Sequence, residues 1–296
     1  MTMSLNESQD IQTLLQVASH QLTQHGLTDS PRLDAELLLS QALNVSRTYL
    51  FTWPEKVPSS EQFKKFPPLL AQRLQGQPIA HILGEREFWG LPLKVTQDTL
   101  IPRPDTETLV ETTLTLITKE APKFFPPPYP TLLDLGTGSG AIALALKSEH
   151  PQLAITAVDQ STEALKIAQH NADTHQLTIQ FLQSNWFSAL KRPHIHFDYI
   201  VSNPPYIEEQ DPHLTQGDVR FEPRSALTSG EDGLDDIRQI TQQAGAHLTP
   251  QGWLIIEHGY HQADAVAKLF QINGFANIQL QHDLAGQPRV TIGQRL

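Results

Sequence analysis

Seven consecutive residues, Asp134-Leu135-Gly136-Thr137-Gly138-Ser139-Gly140, stand directly after a short apolar run and directly before a helical pattern. Glycines at such a junction permit a tight turn and let a ligand approach the backbone N–H groups that open the helix. Asp159 lies nineteen positions beyond Gly140, at the end of the next apolar run, where its carboxylate can accept both hydroxyls of a ribose. A glycine loop alone serves many strand-to-helix turns, and an aspartate alone often caps a helix. The full order of strand, loop, helix, strand and acid predicts a nucleoside cofactor.

Which nucleoside is a separate question, because Gly136, Gly138 and Ala141 also satisfy the alanine-ended dinucleotide pattern of a nicotinamide enzyme. Asp134 argues the other way. A carboxylate just before the loop would face the pyrophosphate of NAD, but it suits a cationic amino or sulfonium group. The expected cofactor is therefore S-adenosylmethionine.

A second segment, Asn203-Pro204-Pro205-Tyr206, follows the apolar run Tyr199-Ile200-Val201. In an open α/β sheet the C-terminal strand ends line the ligand crevice, so this tetrapeptide is expected beside the cofactor. A planar amide or exocyclic amino nitrogen attacks a methyl sulfonium only if its N–H groups are held and its lone pair is aimed. The side-chain carbonyl of Asn203 and the main-chain carbonyl of Pro204 can each accept one N–H. Pro204 and Pro205 stiffen the backbone, and Tyr206 can pack on the planar group. No general base of high pKa is needed. Asn-Pro-Pro by itself is also a good turn, and it gains its chemical meaning from the glycine loop.

These residues require a scaffold of alternating strands and helices. Thr131–Leu135, Ala154–Val158, Ile179–Leu182, Tyr199–Val201 and Trp253–Ile256 are short apolar runs, separated by helical patterns such as Ala141–Lys147 and Glu163–Asn171. They predict a doubly wound, mostly parallel α/β sheet, expected to be seven-stranded and to end in an antiparallel hairpin near Ile278 to Ile292. The first eighty or so residues read as helices instead. Ile11, Leu14, Leu15, Ala18 and Leu22 recur at helical spacing, and Ser30-Pro31 reads as a cap and first turn for a helix carrying Leu33, Leu37, Leu38 and Leu39. Ser59 with Gln62 forms a capping box. The expected division is a helical docking domain at 1–83, a hairpin or extended connector at 84–100 and a catalytic domain at 101–296. Pro126, Pro127, Pro128 and Pro130 read as a stiff polyproline connector ahead of the first catalytic strand.

Composition narrows the class further. The chain has 296 residues, 39% of them hydrophobic and 18% charged, enough apolar surface for a core of more than one domain. Its net charge of −11 disfavours sequence-independent binding to a phosphate backbone. With no cysteine, disulfides, thiolate zinc sites, iron–sulfur clusters and cysteine nucleophiles are excluded. The first twenty residues carry no Lys or Arg, so they lack the marks of a signal or transit peptide, and no apolar run approaches the roughly 18 residues of a membrane span. A cytoplasmic location with no membrane contact is expected.

Taken together the sequence resembles the peptide chain release factor glutamine methyltransferases. Beyond the loop at Asp134–Gly140, Asp159 and Asn203–Tyr206, the resemblance is carried by Ile101-Pro102-Arg103-Pro104-Asp105-Thr106-Glu107, Trp186-Phe187, Phe221-Glu222-Pro223 with Ala226-Leu227, and Asp232-Gly233-Leu234. It implies that S-adenosylmethionine lies over Gly136, Thr137, Gly138, Ser139 and Gly140, with its ribose on Asp159, its adenine near Asn185 and Trp186 and its methyl aimed at Asn203. The implied acceptor is the glutamine of the Gly-Gly-Gln loop of a release factor, methylated on its side-chain nitrogen; separately, the enzyme is expected to be a monomer. Asn185 departs from the aspartate frequent at that position and would accept from the adenine amino group without charge assistance. Two rival readings are an amino methyltransferase of adenine or guanine in nucleic acid, and an idle docking protein that keeps the cofactor fold. Outside this set, Arg103 suits either a cofactor carboxylate or an anchor for its own segment. His194 and His196 have metal-pair spacing but lack a third ligand, so no metal is expected, and Glu257-His258-Gly259 reads as structural more than catalytic.

Overall fold

A computed structural model describes residues 4–26, 28, 30–120, 129–190 and 196–296. They form two compact units, one holding the residues up to Glu85 together with Pro212–Phe221, the other Arg86–Asp211 with Glu222–Leu296. Pro126, Pro127 and Pro128 of the expected polyproline connector lie outside the described residues, as does His194 of the candidate metal pair.

The first unit contains α1 (Ile11–His25), α2 (Pro31–Leu43), α3 (Arg47–Thr52), α4 (Ser60–Leu74) and α5 (Ile79–Leu83). Ile11, Leu14, Leu15, Ala18 and Leu22 of α1 are buried as their spacing predicts, packing with Leu38, Leu39, Phe66 and Leu70. Both halves of the Ser59–Gln62 capping box form. The start of α2 differs from expectation: Pro31 takes the first turn, but the Ser30 side chain makes no capping hydrogen bond. Leu33 is 38% exposed, while Asp34 and Glu36 on the same helix are buried. The reason is charge pairing. Arg73 Nε donates to Asp34 Oδ2 at 2.7 Å, and Glu36 receives Arg32 and Arg47, each at 2.7 Å.

From Arg86 on, the second unit opens with a hairpin, β1 (Glu85–Phe88) and β2 (Leu91–Lys94), turning through Trp89 and Gly90 with φ of 53° and 73°. There follow α6 (Glu107–Glu120), β3 (Thr131–Leu135), α7 (Ala141–Glu149), β4 (Ala154–Asp159), α8 (Thr162–Thr174), β5 (Gln180–Gln183), β6 (Phe197–Ser202), α9 (Asp235–His247), β7 (Leu248–Glu257), α10 (Ala263–Ile272), β8 (Phe275–His282) and β9 (Pro288–Arg295). The large sheet has seven strands in the order β5-β4-β3-β6-β7-β9-β8. Pairings from β5 through β7 are parallel, and β9 joins antiparallel to both β7 and β8. The doubly wound, seven-stranded, mostly parallel sheet and its terminal hairpin are thus as the sequence predicts.

Both faces of this sheet are covered, which is why its strands read as continuous apolar runs. Leu132, Ile155, Ala157, Tyr199, Val201 and Ile255 pack under the wholly buried stretch Ala141–Leu146 of α7 on one side. On the other, Leu133, Leu135, Val158, Ile200, Leu254 and Ile256 pack with Ile237, Ile240 and Ala244 of α9 and Val266 and Phe270 of α10. The winding direction reverses at β3, whose neighbours are β4 and β6. Ligand crevices of open α/β sheets lie outside the carboxyl ends of the strands at such a reversal.

Candidate functional site

At that reversal lies a cavity of about 310 Å³, within the usual range of small-molecule sites. Gly136 and Gly138 follow β3, Asp159 ends β4, Ser184, Asn185 and Trp186 follow β5, and Asn203 and Pro205 follow β6; all eight line it. Asp98, Thr99 and Leu100 with Pro223, Ser225 and Ala226 supply further wall.

Gly136, Gly138 and Gly140 have φ of 72°, 55° and 87°, a region that costs any L side chain strain. Their neighbours give each a separate reason. A Cβ at Gly136 would meet the Trp186 ring at 3.3 Å, and one at Gly140 would press on Leu144 and Ala168, where α7 and α8 meet. At Gly138 it would meet nothing within 4 Å, so this glycine faces open space. Gly140 therefore serves helix packing and does not line the cavity. Thr137 and Ser139 are buried: the Thr137 hydroxyl donates to Asp134 Oδ2 at 2.6 Å, and the Ser139 carbonyl accepts from Asn171.

Two acids organise the loop. Asp159 Oδ2 accepts from Gly138 N and Oδ1 from Ser161 N, each at 2.9 Å, so each oxygen retains a free lone pair for a further donor. Burial raises the pKa of this carboxyl. Asp134 is wholly buried, and its Oδ1 has no hydrogen-bond partner among the described residues. Loss of hydration pushes its carboxyl up to about 7; the bond from Thr137 partly offsets this, and the charge of Asp159 adds to it. A buried acid left short of a partner fits a cationic ligand.

The Asn203–Tyr206 segment is held from behind. Asn203 Nδ2 donates to Thr106 Oγ1 at 3.1 Å, which leaves Asn203 Oδ1 as the free acceptor of a cavity-lining residue. Pro204 is buried, and only Pro205 of the two prolines lines the cavity. Tyr206 sends its hydroxyl to Glu257 Oε1 at 3.3 Å, while Gln262 Nε2 donates to its carbonyl at 3.0 Å. Glu257 is fully buried with Oε2 unpartnered among the described residues; burial lifts its carboxyl to about 7 against the opposing pull of Thr106, Arg289 and Tyr206. His258 beside it is buried between the Gly259 carbonyl and Thr291.

Asn185 is exposed at the cavity wall, and Trp186, at φ of 47°, donates its indole N–H to Asp236 Oδ1 at 3.1 Å. Arg103 does not line the cavity. Its guanidinium pairs with Glu222, whose other oxygen accepts from Ile101 N at 2.9 Å, so it anchors its own segment. No cluster of metal-ligating side chains occurs among the described residues. Sequence reading passed over Thr106, Asp236 and Glu222 as site residues; Thr106 and Glu222 lie in the segments that carried the resemblance, and Asp236 left no signal.

Family models match in two places, a PrmC N-terminal domain at residues 13–84 and a methyltransferase small domain at 121–221. The chain is 50% identical to the release factor glutamine methyltransferase of Vibrio cholerae over 96% of each chain. With that of Aliivibrio fischeri the identity is 46% over 97% of this chain and 98% of the relative. The chain belongs to the release factor glutamine methyltransferase family. A solved structure of the T. thermophilus 16S rRNA N2 G1207 methyltransferase in complex with AdoMet and guanosine superposes on 72% of this chain and 50% of that one, with a TM-score of 0.51 and 19% identity. That likeness extends the fold beyond the family.

Proposed function

We propose that the cavity residues carry out methyl transfer from S-adenosylmethionine to the side-chain amide nitrogen, N5, of the glutamine in the Gly-Gly-Gln loop of peptide chain release factors. Asn203 carries the reading, because it presents a carbonyl acceptor at the end of β6 across the cavity from Asp159. When bound, S-adenosylmethionine supplies an electrophilic methyl group, and the new N–C bond forms as the C–S bond breaks. Gly136 and Gly138 give room for the ligand's approach, Asp159 accepts from the ribose, Asn185 and Trp186 border the adenine, and buried Asp134 complements the cationic end. Thr137, Ser139 and Gly140 hold the loop in shape from beneath.

Asn203 Oδ1 and the Pro204 carbonyl accept the two N–H groups of the acceptor amide and aim its lone pair, while Pro205 and Tyr206 keep the segment rigid. As positive charge builds on nitrogen these hydrogen bonds strengthen, which lowers the barrier more than it tightens the ground state. The surplus proton leaves to water. The helical unit, close to residues 1–83, grips the release factor, since the chemistry itself needs no such appendage. The protein acts as a cytoplasmic monomer without direct nucleic-acid contact, the last of these supported by the net charge of −11.

Purified chain with labelled S-adenosylmethionine should methylate a release factor, and calorimetry should detect S-adenosylhomocysteine but not NAD. Faster transfer to naked RNA or DNA than to release factor would overturn the substrate assignment.

A further inference from the structure

A carbonyl aimed at an acceptor is useful only if the amide that bears it cannot turn over. The Asn203 side chain has two faces of similar shape, and a flip would present NH2 donors to an incoming N–H. What distinguishes the two orientations here lies behind the residue. Thr106 closes the short turn Pro104–Thr106 before α6, is buried, and accepts the Asn203 NH2 through Oγ1 at 3.1 Å. A hydroxyl that accepts in this way still has its own proton to place. The buried carboxylate of Glu257, at the end of β7 next to β6 in the sheet, is an acid whose charged form that hydroxyl favours.

Glu257 receives the Tyr206 hydroxyl at 3.3 Å, so this buried acid holds the far end of the Asn203–Tyr206 segment while Thr106 holds the near end. The turn carrying Thr106 is itself tied down: Asp105 pairs at 2.9 Å with Arg289 of β9, and Arg289 pairs with Asp283 at 3.1 Å. Thr106 accepts from the Asn203 NH2, which turns the Asn203 carbonyl away from Thr106.

We propose that Thr106 is a positioning residue that sets the side-chain amide of Asn203 with its carbonyl toward the acceptor nitrogen. The assignment rests on the methyl-transfer reading above. Thr106→Val keeps the shape and removes the hydroxyl, whereas Thr106→Ser keeps the hydroxyl. Losing such an outer partner should lower kcat by roughly 10- to 100-fold. In T106V the KM for release factor and the affinity for S-adenosylhomocysteine should stay within about threefold of wild type, and T106S should recover most of kcat.

A double-mutant cycle sharpens the test. Asn203→Asp already lacks the NH2 that Thr106 holds, so adding T106V to N203D should cost much less than adding it to wild type. An active wild type with unchanged kcat in T106V would overturn the inference and leave the methyl-transfer reading intact. Full additivity in the cycle, or equal loss of kcat and melting temperature in both T106V and T106S, would reduce Thr106 to a packing residue. Should T106V fail to fold, Thr106→Ala carries the same prediction. A wild type that methylates no release factor would instead defeat the reading on which the inference stands.

Discussion

Buried acids occur in both units, but they are treated in opposite ways. In the helical unit Asp34 and Glu36 each face arginine: Arg73, whose side chain is 3% exposed, bonds Asp34 at 2.7 Å, Asp218 at 2.8 Å and the Gln77 carbonyl at 3.0 Å. Burial raises the Glu36 carboxyl, yet Arg47 and Arg32 more than offset it and hold the group below its ordinary value. In the α/β unit Asp134 and Glu257 have no such partner in hydrogen-bond contact, each keeps one oxygen unsatisfied among the described residues, and both are lifted to about 7. Satisfied buried charge in the first unit specifies a fold. Unsatisfied buried charge in the second is an arrangement that a ligand or a polar relay can use.

The largest effect should come from breaking the satisfied cluster. Arg73→Met leaves Asp34 buried without its counter-charge and should destabilise the protein by about 3 to 5 kcal/mol, read from urea unfolding. A loss below about 1 kcal/mol would show that Asp34 finds water once Arg73 is gone. Next in size is Asn203→Ala, which should lower single-turnover methyl transfer by roughly a hundredfold to a thousandfold while the affinity for S-adenosylhomocysteine changes little. Asn203→Asp should retain partial activity, since a carboxylate still accepts an N–H.

A smaller signal is the pH dependence of the unsatisfied acids. Because Asp134 titrates near 7 in the folded chain and near its ordinary value of 3.8 when unfolded, the native state binds the extra proton between those limits. Its contribution to stability is complete below about 4 and is lost as pH rises through 7, with a slope of about 1.4 kcal/mol per pH unit at most. Glu257 acts in the same sense from its ordinary 4.5. Thermal melts of the ligand-free protein between pH 5 and 8 should show this decline, and Asp134→Asn should make it shallower; an unchanged slope would mean that Asp134 is ionised throughout. The smallest effect belongs to Arg32, 47% exposed and one of two cations on Glu36. Arg32→Ala should cost about 0.5 kcal/mol or less, since Arg47 remains and solvent screens the pair.

Much of the catalytic unit was legible because a sheet covered on both faces leaves short apolar runs, and because glycine punctuates the place where β3 turns into α7. Asp159 and Asn203 were legible for the same reason: each closes one of those runs. Loop residues that share a motif were not separable in that way. Gly138 faces the cavity and Gly140 faces Ala168, and only the packing of α7 on α8 tells them apart. The leucine spacing of helix α2 held no sign that Asp34 is buried, because its partner Arg73 lies thirty-nine residues away.

By itself the sequence determined what depends on neighbours along the chain: strand and helix periods, the Ser59–Gln62 cap, the positive-φ glycines, and the residue types able to hold a nucleoside and an amide. Tertiary structure decided what depends on neighbours in space. Trp186 lies against Gly136 from fifty residues away, Thr106 takes the amide of Asn203 from ninety-seven residues away, and Glu257 takes the hydroxyl of Tyr206. The physical reason is that a hydrogen bond or a buried charge is fixed by a partner within about 3 Å, and that partner is brought there by strand order.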